Sequence, residues 1–432
     1  MVMNMKCITY EPNRLTNVVN NLNEDIENVD FKLTYRKSSK DFTRNRKLGF
    51  VDYINMGLFC GKSSLQTNIN HYLSEKMGDN KMKYTKQAYS KGRQRIKAEA
   101  FKHLIHTTAK SFYEIDGYKT IKGYLLLAID GSDFNLPNTP QLRDFFGEQK
   151  TNTGGQVQAL TSTLYDVLNG VVLETEIEPY NSDERTLALN HIRDFRKNYN
   201  MDAIVTMDRG YPSFNLIYEI EQNSTKFLMR CNKNNFLKEI RDLVGNDEVI
   251  TIKRDDREIL VRVVTVSIKQ KQYTFLTNLS DKEYSSADIA ELYRLRWGIE
   301  TLYKKLKCKM EIENFTGLDV LCIKQDYFAS LVLSNVVAAA VSDGQILLDD
   351  ANKNKALTRE YKINNTFAIS EIKYRFIRMM CIDNNHERQH EFDSIISSLI
   401  NNVVVVQPER SAPHTSKHKC NRFNINNKRT IF

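Results

Sequence analysis

The sequence YLLLAIDGS at residues 124–132 and the sequence AIVTMDRGY at residues 203–211 decide the fold. Each is a short apolar run that stops at an aspartate, with a glycine one or two residues later. Continuous apolar runs of this length are typical of strands that a sheet buries on both faces. We therefore predict two buried strands that end at Asp130 and Asp208, where the glycines let backbone or a ligand come close.

The segments around these strands predict a mixed α/β body. Strand-like and helix-like patterns alternate along the chain, which favours a sheet covered by helices. The expected elements are a hairpin over 156–166 and 170–177, helices over 183–199 and 213–222, and a strand over 226–231. Three further runs alternate like strands with no helix between them, at 249–253, 259–267 and 273–277. We interpret residues 232–280 as a β-rich insertion or subdomain.

The chain of 432 residues is long enough for several units. We predict a basic helical region over 1–115, the α/β core over 120–310, a helical region over 311–405 and a basic flexible tail over 406–432. The longest apolar stretch, 327–341, is too short to span a bilayer, and the N-terminus does not resemble a signal peptide. The seven cysteines form no CxxC pair, which suits a reducing cytoplasm.

Positive charge is concentrated in two places. Residues 32–102 hold 17 Lys and Arg against 5 Asp and Glu, and residues 410–432 hold 6 Lys and Arg and no acid. The whole chain is only +9, so the rest is mildly acidic. Such a distribution favours a polyanion-binding region attached to a separate body, and nucleic acid is the simplest partner. Solvated surface helices with a flexible tail are the alternative.

Two short helices are expected within the basic region. Ser64 caps the first, residues 78–80 break it, and Thr85 caps a second. Lys86, Lys91 and Arg93 are placed on the outer face of the second helix. This pattern is typical of a helix-turn-helix, and a plain helical bundle with a charged face fits it equally well.

Asp130 and Asp208 are candidate metal ligands. On neighbouring strands they would lie together, and paired carboxylates repel unless a divalent cation joins them. Either aspartate alone is better explained as a turn cap.

A helix over 286–309 carries the third acid. At about 100° per residue, Tyr293, Arg296, Glu300 and Lys307 share one polar stripe. Beside it runs an apolar stripe for the core, made of Leu292, Leu295, Ile299, Leu302 and Leu306. The Glu300 carboxylate in the polar stripe could complete a metal site. The neighbouring Arg296 and Lys307 could bind phosphates. The alternative is a solvated face on which Arg296 and Glu300 form a weak i, i+4 pair.

These residues resemble the YREK signature of bacterial insertion-sequence DDE transposases, specifically the fourth insertion-sequence family. Asp130-Gly131-Ser132 and Asp208-Arg209-Gly210-Tyr211 resemble the two aspartate motifs of that family. The resemblance covers about residues 35–405. Further similar segments are Arg296-Trp297-x-Ile299-Glu300, Asn314-Phe315-Thr316-Gly317, Gln325-Asp326-Tyr327, Asp41-Phe42-Thr43-Arg44 and Lys86-Gln87-Ala88-Tyr89-Ser90-Lys91.

The resemblance implies a ribonuclease H-like core with a β-rich insertion before the glutamate helix. It implies cleavage and joining of DNA by two-metal phosphoryl transfer, with Asp130, Asp208 and Glu300 as ligands of two Mg²⁺ ions that Mn²⁺ can replace. Expected DNA contacts are Tyr293, Arg296, Lys307, Trp297, Arg209, Lys86, Lys91 and Arg93. The expected partners are terminal inverted repeats, target DNA and a second copy of the chain in the synaptic complex. The expected location is the cytoplasm, at the nucleoid.

Several alternatives stay open. The chain could be a DNA-binding protein derived from such an enzyme, or a stand-alone nuclease with the same core. Trp297 could stack on DNA or pack in the core, and Arg209 could contact phosphate or form a salt bridge. Asp166 and Asp133 could add further acids, although a hairpin-turn role fits better. The HExxH pattern at residues 386–390 is interpreted as a solvated helix start and not as a zinc site.

Overall fold

The computed structural model describes residues 13–59, 63–78, 83–151, 154–233, 236–268 and 270–406. The N-terminal part of the chain is helical. Its helices are α1 (Arg14–Glu27), α2 (Val29–Tyr35), α3 (Phe50–Leu58), α4 (Leu65–Met77), α5 (Lys86–Arg93) and α6 (Glu99–Tyr113). The Ser64 and Thr85 side chains cap α4 and α5 as predicted. Part of the turn between these two helices lies outside the described residues, as do the N-terminal residues 1–12 and the predicted basic tail from residue 407 onward.

A large mixed sheet follows. Its strands are β1 (Leu125–Asn135), β2 (Glu148–Thr151), β3 (Gly154–Asp166), β4 (Val171–Pro179), β5 (Ala203–Met207), β6 (Lys226–Cys231), β7 (Asp247–Arg254), β8 (Arg257–Ile268) and β9 (Lys271–Thr277). Between them lie α7 (Pro140–Phe146), α8 (Glu184–Asn198), α9 (Phe214–Gln222) and α10 (Lys238–Arg241). The predicted hairpin, helices and strands of the core are confirmed.

The strand order gives the core its fold. Strands β4, β3 and β1 are antiparallel neighbours, and β1, β5 and β6 are parallel neighbours. Three antiparallel strands followed by two parallel ones form the ribonuclease H-like arrangement that the resemblance implied. The parallel pairs need crossover connections, which α8 and α9 supply.

The β-rich residues do not form a subdomain beside the core. β9 pairs antiparallel with β6, β8 with β9 and β7 with β8, so these strands extend the central sheet. The idea of a separate subdomain is therefore wrong, because the free edge of β6 accepts the hydrogen bonds of β9. The division of the chain at residues 115, 310 and 405 stays a prediction.

The central strand β1 is buried on both faces of the sheet. Leu125, Leu127 and Ile129 of β1 belong to the main core, whereas Leu126 packs on the opposite face with residues of the helix that follows β9. This two-sided burial explains the continuous apolar run that opens the fold.

Helices complete the chain. They are α11 (Ser286–Leu295), α12 (Gly298–Cys308), α13 (Val320–Asn352), α14 (Asn365–Cys381) and α15 (Asn385–Ile400), with a small pair of strands, β10 (Tyr361–Ile363) and β11 (Val403–Val405). In the described part of the chain, α13 alone is long and apolar enough to cross a membrane, and 72% of its most apolar window is buried inside the protein. We therefore describe α13 as a core helix.

Candidate active site at the edge of the sheet

The first two acids lie side by side. Parallel pairing of β1 with β5 ends at Ile129 and Met207, and Asp130 and Asp208 are the next residues. Each side chain is oriented by the following backbone amide, which donates to its Oδ1 at 3.0 Å for Asp130 and 2.6 Å for Asp208. One detail differs from the prediction: β1 does not end at Asp130 but continues to Asn135 because β3 keeps pairing with it.

Arg296 links the third acid, Glu300, to the first acid, Asp130. The Arg296 guanidinium donates to Asp130 Oδ2 at 3.3 Å and to Glu300 Oε1 at 3.0 Å. The Tyr293 hydroxyl donates to Asp208 Oδ1 at 3.1 Å. The structure therefore brings the three predicted acids, Tyr293 and Arg296 into one cluster at this edge of the sheet.

The predicted continuous helix over 286–309 is wrong, because it is divided into α11 and α12 at Arg296 and Trp297. Here the amides of Arg296 and Ile299 bond three residues back, to Tyr293 and Arg296, which tightens the chain into a 3₁₀ turn. Gly298 permits a close approach at this point, since a Cβ on it would lie 2.9 Å from Val167 Cβ. The predicted apolar stripe holds on both sides of the turn: Leu292, Ile299, Leu302 and Leu306 are buried.

Negative charge is concentrated in the cluster. The pKa of Asp130 is raised to about 6, mainly by burial and with a smaller contribution from repulsion by Asp208 and Glu184, against the attraction of Arg296 and the Gly131 amide. Although burial lowers the pKa of Arg296, its tyrosine and carboxylate neighbours outweigh this and raise it overall. Arg296 is only 3% exposed, and its Nε is buried with no hydrogen-bond partner among the described residues.

The donor set is suited to a hard divalent cation. It consists of carboxylates with no histidine or cysteine, which is the chemistry that Mg²⁺ prefers. Within the described ranges, no three His, Cys, Asp or Glu side chains are grouped closely enough to hold an ion. In this cluster, the Arg296 guanidinium lies between Asp130 and Glu300 and supplies the positive charge there.

Lys307 and Tyr303 lie along the neighbouring part of β1. Lys307 Nζ donates to Ser132 Oγ at 2.8 Å and to the Asp133 carbonyl oxygen. Burial lowers the pKa of Lys307. The Tyr303 hydroxyl donates to the backbone oxygen of Asp130 at 2.8 Å. Tyr303 was missed by the sequence analysis, since nothing in its spacing separates it from core tyrosines.

The remaining predicted DNA contacts differ in their surroundings. The Trp297 side chain is 49% exposed, so a core role is excluded. Arg209 is exposed and lines a cavity beside Asp208 together with Arg185. Lys86 and Lys91 are exposed on α5.

Arg93 does not lie where the sequence analysis placed it. It is 5% exposed, and its guanidinium donates to Asp326 at 2.7 Å, Thr316 at 2.6 Å and Gln325 at 2.9 Å. The prediction that Arg93 faces outward is wrong, because α5 packs that side against α13.

The signals set aside in the sequence have structural explanations. Asp166 is buried and accepts hydrogen bonds from the Leu168 and Asn169 amides, which is the predicted hairpin-turn role. Asp133 lies in β1. His386 and His390 are exposed in the first turns of α15, where the Asn384 side chain caps the helix.

The segment that holds this cluster is similar to known proteins. Residues 121–319 match the family model described as the transposase DDE domain. The matched segment contains all three acids, Tyr293, Arg296 and Lys307. The resemblance to insertion-sequence DDE transposases is confirmed.

Two curated relatives are similar to the chain. The transposase InsG for insertion sequence element IS4 of Escherichia coli (strain K12) is 24% identical over 268 residues, 58% of this chain and 60% of that protein. The putative transposase for insertion sequence element IS4SA of Synechocystis sp. is 28% identical over 187 residues, 40% of this chain and 52% of that protein. The chain thus spans 60% or less of the length of these relatives.

Among solved structures, the piggyBac transposase in a synaptic complex with hairpin DNA aligns with a TM-score of 0.44 and 10% identity. The alignment covers 94% of this chain and 86% of that one.

Proposed function

We propose that the protein is a DNA transposase that cleaves and joins DNA at the ends of an insertion element. The observation that carries the proposal is the Arg296 bridge, which links the acid of β1 to the acid of α12 beside Asp208. Three carboxylates at one edge of the sheet, two of them linked through Arg296, suit phosphoryl transfer, in which positioning and charge supply most of the catalysis.

Asp130, Asp208 and Glu300 are proposed to hold Mg²⁺, in two ions, with Mn²⁺ as a substitute. When bound, such ions activate the attacking oxygen and stabilise the leaving 3′ oxygen of an in-line displacement. The Gly131 and Arg209 amides keep the two aspartates oriented for this role. Arg296 has to give up its contacts with Asp130 and Glu300, and its positive charge is then available to a DNA phosphate.

DNA is the proposed partner of two surfaces. Beside the acids, Tyr293, Arg296, Lys307, Trp297 and Arg209 are proposed to contact the strand that is cut. In the N-terminal part, Lys86 and Lys91 are exposed near a cleft whose lining includes further basic residues, and this region is proposed to bind the terminal inverted repeats. The other basic residues of that lining are Lys40, Arg44, Arg46 and Arg95. Two ends must be joined in one complex, so a homodimer on DNA is proposed, acting in the cytoplasm at the nucleoid.

The test is a cleavage assay on a labelled duplex that carries the DNA end flanking the gene. The unmodified chain should cut at the repeat boundary with Mg²⁺ or Mn²⁺ and not with EDTA. Glu300→Gln should abolish cutting while DNA binding persists. Glu291→Gln is the matched control, since Glu291 lies on the exposed face of α11, paired with Arg294, and its loss should leave the cleavage rate unchanged.

Two other outcomes would overturn the proposal. Tight, specific binding with no cutting in either metal would favour a non-enzymatic DNA-binding protein derived from a transposase. Cutting without joining of the freed 3′ ends to target DNA would favour a stand-alone nuclease.

A further inference from the structure

A fourth carboxylate lies beside Asp130. Glu184 is the first residue of α8, and its carboxylate extends over the backbone of β1. A Cβ built on Gly131 would lie 2.8 Å from Glu184 Oε2 and 3.0 Å from its Cδ. The space that a side chain at residue 131 would fill is therefore occupied by the Glu184 carboxylate.

The same carboxylate is tied to the turn that carries Asp208. The Tyr211 hydroxyl donates to Glu184 Oε2 at 2.9 Å, and Tyr211 is buried at 3% exposure. The Tyr211 amide in turn donates to the Asp208 carbonyl oxygen at 3.2 Å. Arg185 adds a second connection, since its Nη2 donates to the Gly210 carbonyl oxygen at 2.9 Å. The start of α8 thus contacts both aspartate segments.

The charge of Glu184 is not neutralised by a basic side chain. Its hydrogen bond comes from a neutral hydroxyl, and no ion pair to it is found in the described part of the chain. Arg296 forms ion pairs with Asp130 and Glu300, and among the described residues it forms none with Glu184.

From this geometry we infer that Glu184 is a positioning residue of the active site, which strengthens divalent-metal binding by Asp130 and Asp208 through its charge and its hydrogen bond with Tyr211. The inference rests on the proposed function. Groups that orient metal ligands typically contribute 10–100-fold to metal affinity or activity. A purely structural role is the competing explanation, because acids in the first turn of a helix stabilise it by interaction with the helix dipole.

The experiment measures Mn²⁺ binding to the full chain without DNA, by electron paramagnetic resonance of free Mn²⁺, together with the Mn²⁺ dependence of DNA cleavage. Glu184→Gln should weaken Mn²⁺ binding by about tenfold or more and raise the Mn²⁺ concentration needed for half-maximal cleavage by a similar factor. Asp183→Asn is the matched control, since it removes the same charge one residue earlier and asparagine caps helices as well as aspartate. It should change neither value by more than about twofold.

A second variant protects the result against misfolding. Gly131→Ala displaces the Glu184 carboxylate and leaves its charge in the protein, so this variant should weaken Mn²⁺ binding. In a chain that already carries Glu184→Gln, the same Gly131→Ala change should weaken Mn²⁺ binding less. Equal Mn²⁺ affinity in Glu184→Gln and Asp183→Asn would overturn the inference and leave the proposed function intact. Absence of Mn²⁺ binding and of cleavage in the unmodified chain would instead overturn the proposed function, and this inference with it.

Discussion

Arg296 determines how the acids are arranged in the absence of metal. Its guanidinium contacts acids from two elements, Asp130 on β1 and Glu300 on α12. Like-charged carboxylates in a partly buried site repel one another unless a cation lies among them. Arg296 therefore stabilises the cluster and at the same time competes with a divalent ion for Asp130 and Glu300.

This competition predicts that Arg296→Gln binds Mn²⁺ more tightly than the unmodified chain when no DNA is present. Removing a unit charge within about 4 Å of two ligands should increase the affinity by roughly tenfold or more. Electron paramagnetic resonance of free Mn²⁺ measures the change. Arg294→Gln is the control, because Arg294 is exposed and pairs with Glu291. Unchanged or weaker Mn²⁺ binding by Arg296→Gln would show that the guanidinium does not compete with the ion.

A buried histidine makes stability depend on pH. His191 of α8 is buried against β3, where its Nε2 lies 3.0 Å from Ser162 Oγ, and burial lowers its pKa to about 3. The unfolded chain has the ordinary histidine pKa of about 6.5, so between these values it binds a proton that the folded chain does not. The free energy of unfolding should therefore fall as the pH drops below 6.5, by about 1.4 kcal/mol per unit for this group.

Urea unfolding at pH 7 and pH 5 tests this dependence. His191→Gln can keep a hydrogen bond to Ser162 and removes the titrating group, so its loss of stability between the two values should be smaller by about 2 kcal/mol. Equal losses in the variant and the unmodified chain would exclude His191 as the cause.

For single residues, the sequence predicts a position well when the determining pattern is local, and poorly when the position depends on residues far away along the chain. Asp130, Asp208 and Glu300 could be predicted to lie near one another because each has a local pattern, a strand end or a helical stripe. Arg93 was assigned to the wrong face because its partners lie on α13, far along the chain. Glu184 was missed because its position over Gly131 depends on how α8 packs, and its own neighbours in sequence resemble any helix start.

At the scale of the element, the interruption between α11 and α12 places the site residues. Tyr293 lies at the end of α11, Arg296 in the 3₁₀ turn and Glu300 in the first turn of α12. The helical period predicted their common face and did not predict the break. The break depends on Gly298 packing against Val167, a contact with the distant loop after β3 that no local pattern encodes.

Gly298→Ala should therefore destabilise the protein. The added Cβ would lie 2.9 Å from Val167 Cβ and 3.6 Å from Val167 Cα, so backbone must shift, at a cost of about 1–3 kcal/mol. Chemical denaturation measures the loss. Gly210→Ala is the control, since a Cβ there meets no atom within 4 Å. Val167→Gly removes that Cβ, so Gly298→Ala should cost less when it is made in the Val167→Gly background, and an equal cost in both backgrounds would show that the strain lies elsewhere.

At the scale of the whole molecule, a buried ion pair joins the N-terminal helices to the body. Arg93 of α5 and Asp326 of α13 are both largely buried, and Asp326 also accepts from the Thr316 amide at 2.6 Å. Burial alone would lower the pKa of Arg93, and the attraction of Asp326 more than compensates for it. The basic region is thus held against the core by a charged contact and not only by apolar packing.

Removing one partner of this pair leaves the other charge buried and unpaired. Arg93→Ala should therefore lower the free energy of unfolding by about 3–5 kcal/mol. Urea denaturation measures it, with Lys91→Ala as the control on the exposed side of α5, where a change of less than about 0.5 kcal/mol is expected. A small loss in Arg93→Ala would mean that the contact is dispensable.

Much of the sheet could be predicted, and its full extent could not. The apolar runs at 124–129 and 203–207 have the composition of strands buried on both faces, and both are parallel neighbours in the structure. β9 pairs with β6. The local patterns of these two segments predict that each is a strand and do not predict which strands pair. The edge that pairs with β9 exists only in the completed sheet, so the sequence left an insertion and a separate subdomain open, and the structure has an insertion that extends the sheet.

The most direct test of the account is a mutant cycle on the three acids, read as single-turnover cleavage of the element end in Mg²⁺. Asp130→Asn, Asp208→Asn and Glu300→Gln should each slow cleavage by roughly a thousandfold or more, and each pair of changes should cost about as much as one, because residues that act as a unit are not additive. Binding of the labelled duplex should persist in all of them. Cleavage within a few-fold of the unmodified chain in any single variant, or losses that multiply in the pairs, would contradict the claim that these acids form one catalytic centre.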